Sequence, residues 1–181
     1  MGESIELLTY LNGRIMPHSQ ASPLLQRING ASIGGFYDAE RTFGGEVFKL
    51  RSHLERLYRG LEASSIDPQI SIEELERITL GIIEANLSLL PNGHEYIVTQ
   101  IVNQSQRRSP DDSGTINVVV YCQPLDFTRF ARSYIDGVRI VTPNPHAIPS
   151  VQEPGASKDC YQQHFLLMAS LNGAVSQYDT A

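Results

Sequence analysis

Two cationic side chains in this 181-residue sequence are placed where chemistry could use them. Lys158 is one of only two lysines, the other being Lys49. It ends an irregular segment, residues 143–158, that carries four prolines, and it precedes an apolar helical pattern. A lysine partly removed from water has a lowered pKa, so its neutral amine can condense with a carbonyl to form a Schiff base. The plainer alternative is a solvated lysine near a helix start, where the helix dipole disfavours a cation. Arg56, in His53-Leu54-Glu55-Arg56-Leu57, leaves the apolar stripe of a helical pattern sideways. Its planar fork suits phosphate or carboxylate. The plainer alternative is a surface arginine paired with Glu55 or Glu62. The five histidines, His18, His53, His94, His146 and His164, show no metal-ligand spacing, and Cys122 and Cys160 make neither a zinc pattern nor a disulfide framework. There is no G-x-S-x-G, and Ile33-Gly34-Gly35-Phe36-Tyr37 is not a dinucleotide-binding loop.

These side chains must be held by elements that the hydrophobic pattern outlines. Hydrophobic residues make up 41% and charged residues 19%, which excludes wholesale disorder. The net charge of −6, with no basic block, argues against nucleic acid or an anionic membrane as partner. No apolar run approaches the ~20 residues of a membrane span, and the N-terminus lacks signal-peptide character. The expected setting is therefore the cytoplasm. Asn12-Gly13 between Ile5–Leu11 and Arg14–Met16 predicts a hairpin, because both turn residues tolerate positive φ. Gly44-Gly45 predicts a second hairpin, between Glu40–Phe43 and Glu46–Leu50. The glycine-rich stretch from Asn29 to Asp38 reads most simply as a loop. Leu50, Leu54, Leu57, Tyr58 and Leu61 keep helical spacing, and Ser71 with Glu74 forms a capping box for a second helix whose buried face is Leu75, Ile78, Ile82, Ala85 and Leu89. Tyr96–Val102, Thr115–Cys122 and Gly137–Val141 read as strands, Asp126–Tyr134 as a short helix, and Asp159–Gln177 as a final helix. No closing strand follows that helix, which reads as an interrupted domain.

Taken in order, Tyr10-Leu11-Asn12-Gly13-Arg14, Gly34-Gly35-Phe36-Tyr37-Asp38, Arg41-Thr42-Phe43-Gly44-Gly45-Glu46-Val47-Phe48-Lys49-Leu50, His53-Leu54-Glu55-Arg56-Leu57, Tyr96-Ile97, Ile148-Pro149-Ser150, Lys158 and Asp179-Thr180-Ala181 resemble the class IV aminotransferases. That family depends on pyridoxal 5'-phosphate (PLP) and includes branched-chain and D-amino acid aminotransferases and aminodeoxychorismate lyase. The resemblance implies that Lys158 holds the cofactor and shuttles the proton, and that Arg56 grips its phosphate. Tyr161 and Gln163 fall at cofactor-side positions. The resemblance also implies substrate contacts for Tyr37, Arg41, Tyr96 and Arg107. Three positions depart from the family pattern: Val98 stands where branched-chain members carry an arginine, Ser109 replaces a histidine of the D-amino acid carboxylate trap, and Gln163 stands where an aromatic or basic residue is usual, with Tyr161 nearby as a substitute.

The fold implied is α+β. Residues 1–125 would form the small N-terminal domain, and 126–181 a linker and the opening of a larger, barrel-like PLP-binding domain, left incomplete. The implied reaction is amino-group transfer between an amino acid and a 2-oxo acid, in a homodimer. Two alternatives stay open: an aminodeoxychorismate lyase-like enzyme, and a non-catalytic descendant that serves as a binding or dimerisation module.

Overall fold

A computed structural model describes residues 6–30, 32–89, 94–105, 114–137 and 158–159. The chain opens with the expected hairpin, β1 (Leu8–Leu11) and β2 (Arg14–Pro17). Asn12 and Gly13 take φ of 49° and 84° at its turn. Asn12 also ties the hairpin inward, since its Oδ1 accepts from the Val118 amide at 2.8 Å. Helix α1 (His18–Gly30) follows. Next come β3 (Ser32–Phe43) and the short β4 (Glu46–Val47), joined by the Gly44-Gly45 turn. Helices α2 (Leu50–Ala63) and α3 (Ile72–Leu87) are followed by β5 (Tyr96–Ser105), β6 (Ile116–Pro124), α4 (Thr128–Asp136) and β7 (Lys158–Asp159).

The sheet runs β2-β1-β6-β5-β3-β4, with β7 also on β3 and every pairing antiparallel. The family-like α+β architecture expected from the sequence is present. The capping box forms as the sequence predicts, with the Glu74 amide donating to Ser71 Oγ at 3.1 Å. The leucine stripe of α2 and the apolar face of α3 cover one face of the sheet. Leu54, Leu57, Leu75 and Ile82 pack there on Phe36, Tyr96, Val98, Val102 and Val120. Each such side chain contributes roughly 1.5–3 kcal/mol by leaving water.

Three expectations are corrected. Residues 32–38 are strand, not loop. Their glycines permit a close strand approach: a Cβ on Gly35 would lie 2.5 Å from Asn103 Cβ and 2.6 Å from the Val102 carbonyl oxygen. Leu50 starts α2 instead of ending a strand, after Lys49 turns the chain with φ 50°. Asp159 lies in β7, so the predicted final helix does not begin there; its residues 160–177 lie outside the described residues, as does most of the strand predicted at 137–141. Among the described residues, no helix is long and apolar enough to cross a membrane.

Candidate active site

The packing of α2 on β3 builds the site. Leu54 and Leu57 point into the core, which leaves His53 and Arg56, three residues apart, on one shoulder of the helix. That shoulder lies over the inward side chains of β3, which alternate as Phe36, Asp38, Glu40 and Thr42. Asp38 is fully buried. Its Oδ2 accepts from Arg56 Nε at 2.8 Å, and its Oδ1 accepts from Arg56 Nη2. Oδ1 also accepts from the Ala39 amide at 2.8 Å and lies 3.0 Å from His53 Nδ1. Glu40 sits one position further along the same face and receives Gln100 Nε2 at 2.6 Å.

Burial pushes the Asp38 carboxyl up, but bonds from Arg56, His53 and the Ala39 amide outweigh it and hold the group below the usual carboxylate range. Its bond to Asp38 holds Arg56 above its ordinary value despite partial burial. Asp38, Glu40 and His53 form a set that could ligate a metal, which their positions in sequence did not reveal because β3 and α2 contribute separately. Here a guanidinium occupies the Asp38 carboxylate, so the cluster is an ion-pair network.

Lys158 comes to the same stretch of β3 from its other edge. β7 lies antiparallel to β3, with Lys158 opposite Tyr37 and Asp159 opposite Phe36, and α2 packs against both strands. The backbone of Lys158 is therefore one ladder position from the residue that holds Arg56. Lys49 differs: it is exposed at the start of α2, its Nζ 5.3 Å from the centre of the Phe48 ring.

Tyr37, Ala39 and Arg41 alternate onto the opposite face of β3 and are half-buried. The Arg41 guanidinium carbon lies 4.0 Å above the Phe43 ring and 5.1 Å from that of Phe127. It borders an open cavity of about 380 Å³ walled by Ala39, Ile97, Leu125, Phe127 and Phe130. Tyr96 is a correction. The family resemblance puts it on the wall of the substrate pocket, but it is fully buried beneath α3 and donates its hydroxyl to the Asn86 carbonyl oxygen. Burial pushes that phenol up to about 12. Val98 shares this inward face and is likewise fully buried, opposite Glu40 in the ladder. At this end of β5 it is Ile97 that borders the cavity. Arg107, Tyr161 and Gln163 lie outside the described residues. Sequence reasoning missed Glu40 and Gln100; the signal was the charged alternation of Asp38 and Glu40 within a strand.

No family model matches the sequence. A probable branched-chain-amino-acid aminotransferase of Rickettsia typhi is 30% identical over 97 residues, 54% of this chain and 28% of that protein. One from Rickettsia bellii is 29% identical over 77 residues, 42% of this chain and 27% of that protein. The T.th. branched-chain amino acid aminotransferase, solved with pyridoxamine 5'-phosphate, superposes with a TM-score of 0.71 at 16% identity, over 96% of this chain and 57% of that one. By sequence this chain is similar to branched-chain aminotransferases over about half its length, and by fold to a solved one. A further branched-chain aminotransferase structure, from Thermoproteus uzoniensis with norvaline, gives a TM-score of 0.51 at 22% identity, over 67% of this chain and 41% of that one. The likeness to these structures is one of fold, and the matched segments span less than a third of the curated relatives' lengths.

The residues present fit a phosphorylated aldehyde cofactor. Arg56 is anchored yet keeps 28% of its side chain exposed, and the backbone of the candidate attachment lysine is brought to the same segment of β3.

Proposed function

We propose that this aminotransferase relative serves PLP-dependent transfer of an amino group between an amino acid and a 2-oxo acid, of the branched-chain or D-amino acid type. The observation that carries the reading is the pairing of Lys158 with Tyr37, beside the strand residue that anchors Arg56. Bound PLP supplies an electron sink for charge developing at the substrate's α-carbon. Lys158 provides the amine that holds the cofactor and then moves the proton at that carbon. Arg56 neutralises the phosphate with a guanidinium that keeps its charge at any working pH.

Arg41 is the proposed partner of the substrate carboxylate. It sits at the edge of a cavity walled mainly by apolar residues, with Glu40 also in its lining, an arrangement suited to an amino acid with a hydrocarbon side chain. Tyr37, the ladder partner of Lys158, keeps its proposed substrate-side role. Arg107, Tyr161 and Gln163 keep their proposed substrate-side and cofactor-side roles. The proposed unit is a homodimer, and the exposure of Tyr134 (81%) and Ile135 (84%) on α4 supports an apolar contact there.

Borohydride reduction in the presence of PLP, followed by peptide mapping, tests the reading. The expected adduct is on Lys158; an adduct on Lys49, or none, overturns it. Amino-group transfer to pyruvate or 2-oxoglutarate then reports the reaction type.

A further inference from the structure

A second cavity adjoins the one at Arg41, and the proposed chemistry leaves it unused. Arg41 pairs with Ile97 across β3 and β5, and Ile97 pairs with Gln123 across β5 and β6. Residues opposite one another in a ladder share a face, so these three side chains form one row across the sheet, on the face away from α2 and α3. Two strand spacings put the backbones at the ends of that row roughly 10 Å apart. On one side of Ile97 lies the cavity bordered by Arg41; on the other lies a cavity of about 430 Å³ bordered by His18, Gln123 and Asp126. Ile97, Leu125 and Phe130 line both, so the two abut on the same apolar side chains.

The two ends differ in charge. Arg41 donates Nε to the Thr42 carbonyl oxygen at 3.2 Å and has no carboxylate in ion-pair range among the described residues. Glu95 feels its charge but is taken by the Thr42 hydroxyl and the Gly44 amide, and Glu40, in the same lining, receives Gln100. At the far end the Gln123 side chain is exposed, and its amide offers both a donor and an acceptor. His18 is held there by Thr9 Oγ1, 2.8 Å from its Nδ1. Asp126 makes that end negative, which disfavours a second carboxylate. The row therefore offers a cation, an apolar middle and a neutral polar end.

We propose that the two cavities are adjoining subsites for one ligand, an amino or 2-oxo acid with a para-hydroxyaryl side chain: its carboxylate meets Arg41, its ring lies over Ile97, and its hydroxyl reaches the Gln123 amide. This rests on the reading of Arg41 as the partner of the substrate carboxylate and narrows the substrate class. A short branched side chain ends over Ile97 and leaves the second cavity unfilled. A flat ring with a polar edge covers the apolar middle and still places a hydrogen-bonding group beyond it.

The test uses stable carboxylate probes on the 181-residue chain, with affinities measured by calorimetry. These are 3-(4-hydroxyphenyl)propanoate, 3-phenylpropanoate, 4-methylpentanoate and the neutral 3-(4-hydroxyphenyl)propanamide. The expected order puts the hydroxyaryl acid first, roughly 3- to 10-fold tighter than the phenyl acid, the scale of one net hydrogen bond. In Gln123→Leu that preference falls to within about twofold, while the phenyl acid keeps its affinity. Equal binding of the two aryl acids, no binding, or a preference that survives Gln123→Leu overturns the proposal. An amide that binds as well as its acid overturns it too, since Arg41 then carries no carboxylate.

Should Gln123→Leu fail to fold, the parent chain decides: the Gln123 side-chain amide signals in nitrogen-15 NMR shift with the hydroxyaryl acid and stay in place with the phenyl acid. Identical shifts with both refute the idea. Failure of Lys158 to trap PLP, with the hydroxyl preference intact and dependent on Gln123, sinks the aminotransferase reading alone. A successful trap with no such preference sinks only the paired subsites.

Discussion

Two arginines on α2, five residues apart, make opposite use of carboxylates. Arg51 reaches Glu55 at 3.4 Å, Glu73 at 2.9 Å and Glu76 at 3.1 Å. Arg56 has Asp38 as its carboxylate partner. By a count of partners Arg51 is the better anchored, but its side chain is 44% exposed and the glutamates are 31–67% exposed, whereas Asp38 is at 0%. Water and salt screen the first network, and both partners keep their hydration when it opens. The second cannot open without leaving a charge in the core. The difference teaches that burial of the carboxylate, not the number of ion pairs, makes an arginine a fixed instrument. Arg51 latches α2 to the start of α3; Arg56 fixes α2 to β3.

The largest expected effect that could break this contrast is on Arg56→Ala. Leaving Asp38 buried without its main partner should cost about 3 kcal/mol in chemical denaturation, the low end for a broken buried pair, because His53 and the Ala39 amide remain. A loss no larger than that of Arg51→Ala would erase the distinction between the two networks.

Acid unfolding gives a second, smaller measure. Asp38 has a folded-state pKa below its unfolded value, so its stabilisation is complete above the unfolded pKa of about 3.9 and is lost as pH falls through the depressed folded value. In Arg56→Ala, burial is no longer outweighed by the strongest of those bonds, and the acid midpoint, followed by circular dichroism, should move to higher pH. An unmoved midpoint would mean that Asp38 is not held ionised by Arg56.

The smallest effect belongs to Arg51→Ala. Its thermal midpoint should fall slightly at low salt and match the parent's at high salt, since the ion pairs it removes are solvated. A deficit that persists in high salt would place Arg51 with Arg56 and weaken the comparison.

What could be read in advance follows from what periodicity measures. The leucine stripe of α2, the Ser71 cap and the Asn12-Gly13 and Gly44-Gly45 turns are local rules in which a residue and its near neighbours settle the backbone. The first half of β3 was illegible because Gly34 and Gly35 read as turn signals and the inward Asp38 follows Phe36, so it lacks the apolar alternation that marks a strand. Helix α1 escaped for a related reason: it buries Ala21 at 0% exposure but leaves Leu24 at 36%, and it contains Pro23. Motif alone assigns Tyr96 to a pocket. A strand puts successive side chains on opposite faces, so a single step decides between core and cavity, and Tyr96 fell on the core side while Ile97 took the other.

The order of residues sets the chemical inventory: a lysine after a proline-rich segment, an arginine on the flank of an amphipathic helix, and the local signals that start and stop the main helices and turns. Those depend on residues close together in the chain. That Arg56 and His53 converge on Asp38, and that Lys158 pairs with Tyr37 on the same strand, emerges with the packed fold. These contacts join residues 15–121 positions apart, and they form because packing α2 and β7 against β3 brings together groups whose linear order carries no record of the meeting.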